Sequence, residues 1–505
     1  MMRTKWWLAA AFVAVGVTGE LEARQAKAGD KALATKLLAE AIDAMGGEAR
    51  LTSLHSLAFS TIGHGYALEQ SERPEGPWLT TYTQETEIRD FDHQRLRLET
   101  QRRNWTSPDW SPAQTSIATP EAGAVNIGTR WIPTTPAKLD TALALDPERL
   151  LFTARAATDV RAMPDETQQK IAQHVVAFTY QNKPMRLLLN PWTHLPTMLE
   201  ITQNDRIWGD VTERRWYSFW TLEHGGLMYP RQTTTEWNGF PHFDFTIQRL
   251  TVDGPVDDAK FAIPDDVKNG TRPTPPGVTV ATPTVAVDDS KVIAVSDSIV
   301  EIPGGYNVSL VHQPDGLVVI EGTSVPDYSK QIMAYAAKRF PGVPIKALVT
   351  TSDAWPHIGG VREYVAQGVP IYPLDLNVSI LNRIISAPHT LTPDTLATKP
   401  KAPIFRPVSQ KTTLGAGDTR MELIPMRGEI GERMMLVWFP AQGLLYSSDS
   451  IQHLPGGKGF FMPSMLNEVK LALDREHITG VKEVFGMHLT PTPWADVLAA
   501  IEAAK

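Results

Sequence analysis

The 505-residue sequence predicts a two-domain protein: an antiparallel β domain with a flanking helix, then a domain mixing α+β and α/β arrangements. Three observations predict it. The chain is too long for a single hydrophobic core. Its first half alternates apolar and polar residues with a period of two, while its second half interleaves apolar runs with helical patterns. Between them lies Thr271-Arg-Pro-Thr-Pro-Pro-Gly277, with further Thr, Val and Pro up to residue 287. Proline removes backbone donors and favours extended chain, so this stretch reads as a linker. The division is therefore a leader at 1–28, a β-rich unit at 29–270, the linker at 271–287 and a second unit at 288–505.

The leader reads as an address. Arg3 and Lys5 precede a short apolar run from Trp6 to Val17, and small residues around Ala23 to Ala28 offer cleavage sites. That run is shorter than the roughly 20 residues a bilayer span needs. With no cysteine anywhere, neither a disulfide framework nor a lipid-anchor thiol is available. The expectation is a periplasmic or secreted protein without an integral membrane segment. A net charge of -8 gives no reason to expect a nucleic-acid partner.

In chain order, Asp30 is placed to cap a helix carrying Leu33, Leu37, Leu38, Ala41, Ile42 and Met45, ended by Gly46-Gly47. From about residue 57 to 264 the pattern predicts strands. Leu96 and Leu98 alternate with Arg95, Arg97 and Glu99, as on a sheet with one wet face. Residues 175–180 and 185–189 read as two strands joined through Asn182-Lys183-Pro184. Others are expected around 201, 216–222, 232–237 and 243–252. Beyond the linker, strands at 291–295, 299–302, 307–312 and 317–321 lead to a helix at 328–339. A strand at 347–351, a helix at 360–367 and a strand at 370–372 follow.

The chemistry concentrates in Leu348-Val-Thr-Thr-Ser-Asp-Ala-Trp-Pro-His-Ile-Gly-Gly360, an apolar strand running into a polar loop and a Gly-Gly helix start. Loops at strand ends beside helix N-termini suit ligands and metals. A lone histidine there is more often structural. Read together with Met434 to Phe439, with Gly443-Leu-Leu-Tyr-Ser-Ser-Asp449 and with Gly486-Met487-His488, the stretch resembles the metallo-β-lactamase superfamily. That family carries Thr-His-x-His-x-Asp-His before a Gly-Gly helix start. Here Thr351 and His357-Ile358-Gly359-Gly360 match, while Ser352, Ala354 and Pro356 occupy the other ligand positions. A further family histidine, expected near Glu429 or Ile430, is missing.

The resemblance covers roughly residues 288–505. It implies an αββα sandwich and at most one metal (zinc, iron or manganese) held by His357, Asp449 and His488. Two imidazoles, one carboxylate and an open position is an accepted composition for catalytic zinc. A metal-activated water would attack an ester, amide or similar bond. No protein base is assigned: Asp353 should point elsewhere, and Glu429 would substitute only if its loop folds inward. The alternative is a domain without metal, in which Asp449 and His488 bond each other or nearby backbone.

The first half resembles periplasmic lipoprotein-carrier-like domains. The features that carry this are Gly46-Gly47 with Leu51, Leu54 and His55, then Gly63-His64-Gly65, Asn190-Pro-Trp-Thr-His-Leu-Pro196, and Val252 to Asp258 with Phe261 and Pro264. The resemblance implies a curved antiparallel half-barrel with an apolar concave face. Such a face suits a small-molecule or lipid-like ligand, and the competing function is a non-catalytic binding protein for a hydrophobic or envelope-derived ligand. Trp105, Trp110, Trp216, Trp220 and Trp237, with His64 and His242, read as structural. Gly456-Gly457-Lys458-Gly459 lacks the context of a phosphate loop and reads as a mobile loop over the site.

Overall fold

The computed structural model describes residues 31–66, 78–104, 109–128, 130–270, 287–454 and 457–505. The leader with Asp30, the linker up to residue 286, Trp105 and Gly456 lie outside the described residues.

The expected first helix spans Lys31–Ala44 and buries Leu37, Leu38, Ala41 and Ile42, while Leu33 faces out. It packs on one antiparallel sheet of thirteen strands. Next to the sheet's central strand is Ser56–Tyr66, sixth in the order. On one side follow Thr80–Asp90, Arg95–Arg103, Gln114–Ala118, Gly123–Ile127 and Arg130–Thr134. On the other follow Phe240–Val252, Met228–Trp237, Gly209–Leu222, Pro196–Asp205, Lys183–Leu189, Ile171–Tyr180 and Arg161–Gln168. The hairpin expected around 182–184 turns one residue earlier, at Gln181 and Asn182, which both take positive φ (49° and 62°). A left-handed pair matches the twist of a two-residue hairpin. Asn190 also behaves as a turn residue, its side chain accepting the N–H groups of Trp192 and Thr193 before the next strand.

The run of strands from 57 to 264 needs correction, because a short helix, Leu139–Ala142, and a longer one, Pro147–Ala156, interrupt it. The start signal of the longer one is Asp146-Pro147: proline at the first position gives up an N–H that would have no partner there. Leu150, Leu151 and Ala154 then face the sheet. This helix touches the strand Ile171–Tyr180 and, through Glu148, reaches Arg89 on Thr80–Asp90. Those strands are seven places apart in the sheet order. On a flat sheet that is about 33 Å, whereas a helix of 10 residues spans about 15 Å, so the sheet curls around the helix. The inner face is apolar where the helices Lys31–Ala44 and Pro147–Ala156 cover it, but beyond them Glu85, Glu87, Arg89, Glu213 and Arg215 line a cavity of about 380 Å³. The expectation of a wholly apolar concave face is therefore corrected.

The second half contains two six-stranded sheets. In the first, the strand Gly316–Ile320 explains the continuous apolar run: Val318 and Ile320 face the other sheet, Leu317 and Val319 face helices. Both faces are dry, so alternation is lost. The core between the sheets joins Val311, Ile320 and Val349 to Leu423, Val437 and Tyr446. Helices Pro326–Arg339, Val361–Gln367 and Val378–Ser386 cover the outer face of the first sheet. Pro463–Arg475 and Trp494–Ala503 cover the outer face of the second. The layering is thus helix, sheet, sheet, helix. No helix among the described residues is long and apolar enough to cross a membrane.

The turn Ile207-Trp208-Gly209-Asp210 joins the thirteen-stranded sheet to the second half. Trp208 and Val211 enter the same core as Ile380 and Ile384, and the Arg383 guanidinium lies 4.4 Å from the Trp208 ring centroid. Asp210 accepts the N–H groups of Thr390 (2.9 Å) and Leu391 (3.0 Å). Gly209 takes φ +67°, and a Cβ there would sit 2.0 Å from the Pro388 carbonyl oxygen. A cavity of about 240 Å³ remains beside this contact, bounded by Trp208, Trp237, Phe240 and Arg383. Trp237 and His242, read as structural, stack at 4.2 Å near it. Asp210→Ala removes a charged acceptor of two backbone donors and is expected to cost about 1.5–3 kcal/mol in urea unfolding. Gly209→Ala is expected to split a single calorimetric transition into two; an unchanged single transition would refute the coupling.

Candidate functional site

The strand Ile345–Thr350 is followed by Thr351, where the chain leaves the first sheet. The Thr351 carbonyl accepts the N–H of Met435 (2.9 Å) and its Oγ1 lies 2.7 Å from Ser448 Oγ, both on the second sheet's side. The loop that follows therefore sits at one end of the seam between the sheets. It runs into a short helix, Trp355–Ile358, that buries His357 completely. Gly359 and Gly360 allow the close approach expected of them. A Cβ on Gly359 would meet the Ser324 carbonyl at 2.2 Å, and one on Gly360 the Ser329 hydroxyl at 2.2 Å. Bulkier residues would push His357 off the seam.

The three residues expected to hold a metal, His357, Asp449 and His488, do come together. His357 Nε2 is 2.7 Å from Asp449 Oδ2, and His488 Nε2 is 3.0 Å from Asp449 Oδ1. A fourth residue completes the cluster. His357 Nδ1 is 2.7 Å from Glu321 Oε2, and Glu321 is fully buried. Glu321 also accepts the Tyr446 hydroxyl (2.9 Å) and the Thr351 hydroxyl. Both imidazole nitrogens of His357 face carboxylate acceptors, so both carry protons. Burial alone would lower the His357 pKa, but the Asp449 and Glu321 charges outweigh it and raise it to about 10. Burial likewise acts to raise Asp449, yet His357 and His488 hold its carboxyl far below the usual range.

Glu321 went unread in the sequence although a signal was present: a carboxylate closing the apolar run Leu317 to Ile320, ahead of Gly322. A charge at the end of a doubly buried strand requires a partner. Its φ of +86° is uncommon for a residue with a Cβ, as are those of Thr323 (62°) and Ser448 (55°). Backbone held in this region persists only where the surroundings over-determine it. Here the hydrogen bonds of Glu321 and the Thr351–Ser448 contact supply that constraint.

The other site expectations fare differently. Glu429 does not fold inward: its side chain is exposed, and its N–H donates to Glu468 Oε1 (2.9 Å). Ile430 and Gly431 donate to the same carboxylate, which pins the loop to the helix Pro463–Arg475. Asp353 is buried beside the cluster, and burial pushes its carboxyl up to about 8 against the pull of Arg433. Tyr306 forms the outer wall, its ring edge-on to Trp355 (5.3 Å) and His488 (5.4 Å). Of the Gly-Gly-Lys-Gly loop, residues 457–459 are described; its base is closed by His453 stacked on Phe460 at 4.8 Å.

As arranged, these donors do not fit a metal. Two ligands of a tetrahedral zinc, each about 2.0 Å from it, stand about 3.3 Å apart. His357 Nε2 and Asp449 Oδ2 are at hydrogen-bond distance instead. Among the described residues no group of three or more His, Cys, Asp or Glu side chains is disposed around one ion. Ser352, Ala354 and Pro356 supply no strong donor at the vacated positions. What the arrangement does chemically is hold one positive charge between two negative ones, away from water.

No family model and no curated protein matches the chain. Solved structures similar to it include a metallo-beta-lactamase from Pontibacter korlensis, with 15% identity over 42% of this chain and 97% of that one (TM-score 0.31). The DIM-1 metallo-beta-lactamase shares 14% identity over 43% and 98% (TM-score 0.32). The inverting sec-alkylsulfatase Pisa1 from Pseudomonas sp. shares 14% over 42% of this chain and 40% of its own length (TM-score 0.32).

Removing one member of a buried ion cluster leaves uncompensated charge and typically costs about 3–5 kcal/mol. His357→Ala is therefore expected to destabilise the protein by about that much in urea unfolding with excess chelator present. A residue that serves only as a metal ligand would produce no such loss in metal-free buffer.

Proposed function

We propose that this chain is an exported ligand-binding protein. In this reading the second half is a metallo-β-lactamase-like sandwich whose metal cleft has become an internal ion cluster. The observation that carries it is His357, fully buried with a carboxylate 2.7 Å from each ring nitrogen. A metal at Nε2 would have to displace both a proton and the Asp449 contact. The cavity of about 380 Å³ on the curled sheet supports the binding role, since pockets for small molecules begin near about 300 Å³. Export rests on the short apolar leader after Arg3 and Lys5.

One observation favours the rival, a hydrolase with a single metal at His357, Asp449 and His488: Asp449 stands between the two histidines. Such a metal would supply an activated water. Metal analysis of the purified mature protein, after incubation with zinc, iron(II) or manganese and desalting, separates the two. The ligand-binding reading predicts far less than one metal per chain and no hydrolysis of aryl esters or amides. One tightly held metal per chain, with an esterase or amidase activity abolished by His488→Ala, would overturn it.

A further inference from the structure

We infer that the cavity on the inner face of the thirteen-stranded sheet is a binding site for an organic cation with an apolar body. This rests on the ligand-binding reading and names the class of ligand. The cavity is built by same-face side chains of five adjacent strands, from Thr80–Asp90 to Gly209–Leu222, and is closed at one end by Asp146 and Pro147. The register puts Phe59 opposite Glu87, Thr61 opposite Glu85, and Glu213 opposite Trp237.

The charges lining this space do not balance. Four carboxylates (Glu85, Glu87, Asp146, Glu213) face two guanidiniums (Arg89, Arg215). Arg89 is held by Glu87 at 2.6 Å and by Glu148, a fifth carboxylate behind it, at 2.5 Å. Arg215 is held by Glu213 at 2.6 Å. Asp146 is left 3.6 Å from Arg89, and Glu85 takes the Thr100 hydroxyl at 3.3 Å. Burial raises the pKa of both: Asp146 reaches about 7, and Glu85 shifts upward with Glu87 adding to it. Carboxyl groups lining the cavity thus outnumber its guanidiniums four to two, and a bound cation would favour their ionised forms.

Aromatic rings make up much of its remaining wall, among them Phe59, Tyr217, Tyr229, Trp237, Phe243 and Phe245. Ring faces attract cations, most strongly when the site is desolvated. The protein already uses such a contact, with the Arg89 guanidinium 4.8 Å from the Phe59 centroid. The Tyr217 hydroxyl, on a residue only 6% exposed, has no hydrogen-bond partner among the described residues. Of its neighbouring charges, Arg215, Asp146 and Glu213 line the cavity and Glu148 lies behind it. A polar group so placed is open to a ligand. An acyl carboxylate would meet further carboxyl groups here, and a neutral alkane would cover them without supplying a hydrogen bond or a counter-charge. An ammonium carried on an apolar body meets both demands.

The test is isothermal titration of the mature full-length chain with hexyltrimethylammonium, heptanoate and 1-heptanol. The expected result is saturable 1:1 binding of the ammonium, at least tenfold tighter than either of the others. Glu85→Gln combined with Asp146→Asn is expected to weaken it at least tenfold while the circular dichroism spectrum is retained. Trp237 fluorescence, compared with Trp237→Phe, should report the same saturation. Equal or tighter binding of heptanoate or heptanol would overturn the inference, as would ammonium binding unaffected in the double variant. Metal content measured on the same sample keeps the two readings apart. Ammonium binding by a stoichiometrically metallated protein overturns the metal-free reading alone; a metal-free protein that ignores the ammonium overturns this inference alone.

Discussion

Burial of ionised groups at the end of a two-sheet seam constrains the second half of this protein. Glu321, His357 and Asp449 stand where the strands of both sheets end, and the first two are completely removed from solvent. Charges in that position persist only if each is met by another and by hydrogen bonds on its remaining atoms. Much of the surrounding geometry follows from this demand. Glu321 adopts a positive φ, Thr351 bridges to the second sheet, Tyr446 turns its hydroxyl inward, and glycines stand where the loop closes on Ser324 and Ser329. The cluster ties the two sheets together by polar contacts at the point where their shared apolar core runs out.

The first half handles buried charge differently. Around Arg89 the carboxylates outnumber the cations, and the excess faces a cavity rather than a partner. The seam cluster therefore completes its ion pairs internally, whereas the carboxyls around Arg89 outnumber the guanidiniums that face them. That contrast moves the expected ligand chemistry from the seam, where the metallo-β-lactamase resemblance placed it, to the curled sheet. The contact through Trp208, Asp210 and Arg383 joins the halves, and the cavity beside it shares Trp237 with the larger one.

Much of this was legible in the sequence, for reasons that differ by region. Strands such as Gly316–Ile320 are dry on both faces, so they stand out as unbroken apolar runs. Tyr364, Val365 and Val361 mark a helix covering them just as plainly. The strands Gln114–Ala118, Gly123–Ile127 and Arg130–Thr134 are half wet and only five residues each. Short mixed patterns of that kind do not separate from loop. The helix Pro147–Ala156 carried a readable start in Asp146-Pro147, but it lay inside a stretch dominated by alternation. At the seam, His357, Asp449 and His488, grouped through the family resemblance, lie side by side. Their partner Glu321 was not grouped with them, because its role depends on a contact across 36 residues that no local pattern encodes. The charged character of the inner face was hidden for a similar reason. Glu85, Glu87 and Glu213 look like solvent-facing residues of alternating strands, and only curling of the sheet turns them inward.

The central claim is that His357 is a buried imidazolium shared by two carboxylates. Long-range ¹H–¹⁵N spectroscopy of the histidine ring nitrogens at neutral pH tests it most directly, with His357→Gln used for assignment. The account predicts that both His357 nitrogens are protonated, with slowly exchanging protons, and that added zinc leaves their shifts unchanged. A neutral ring whose Nε2 resonance moves on zinc addition would contradict it.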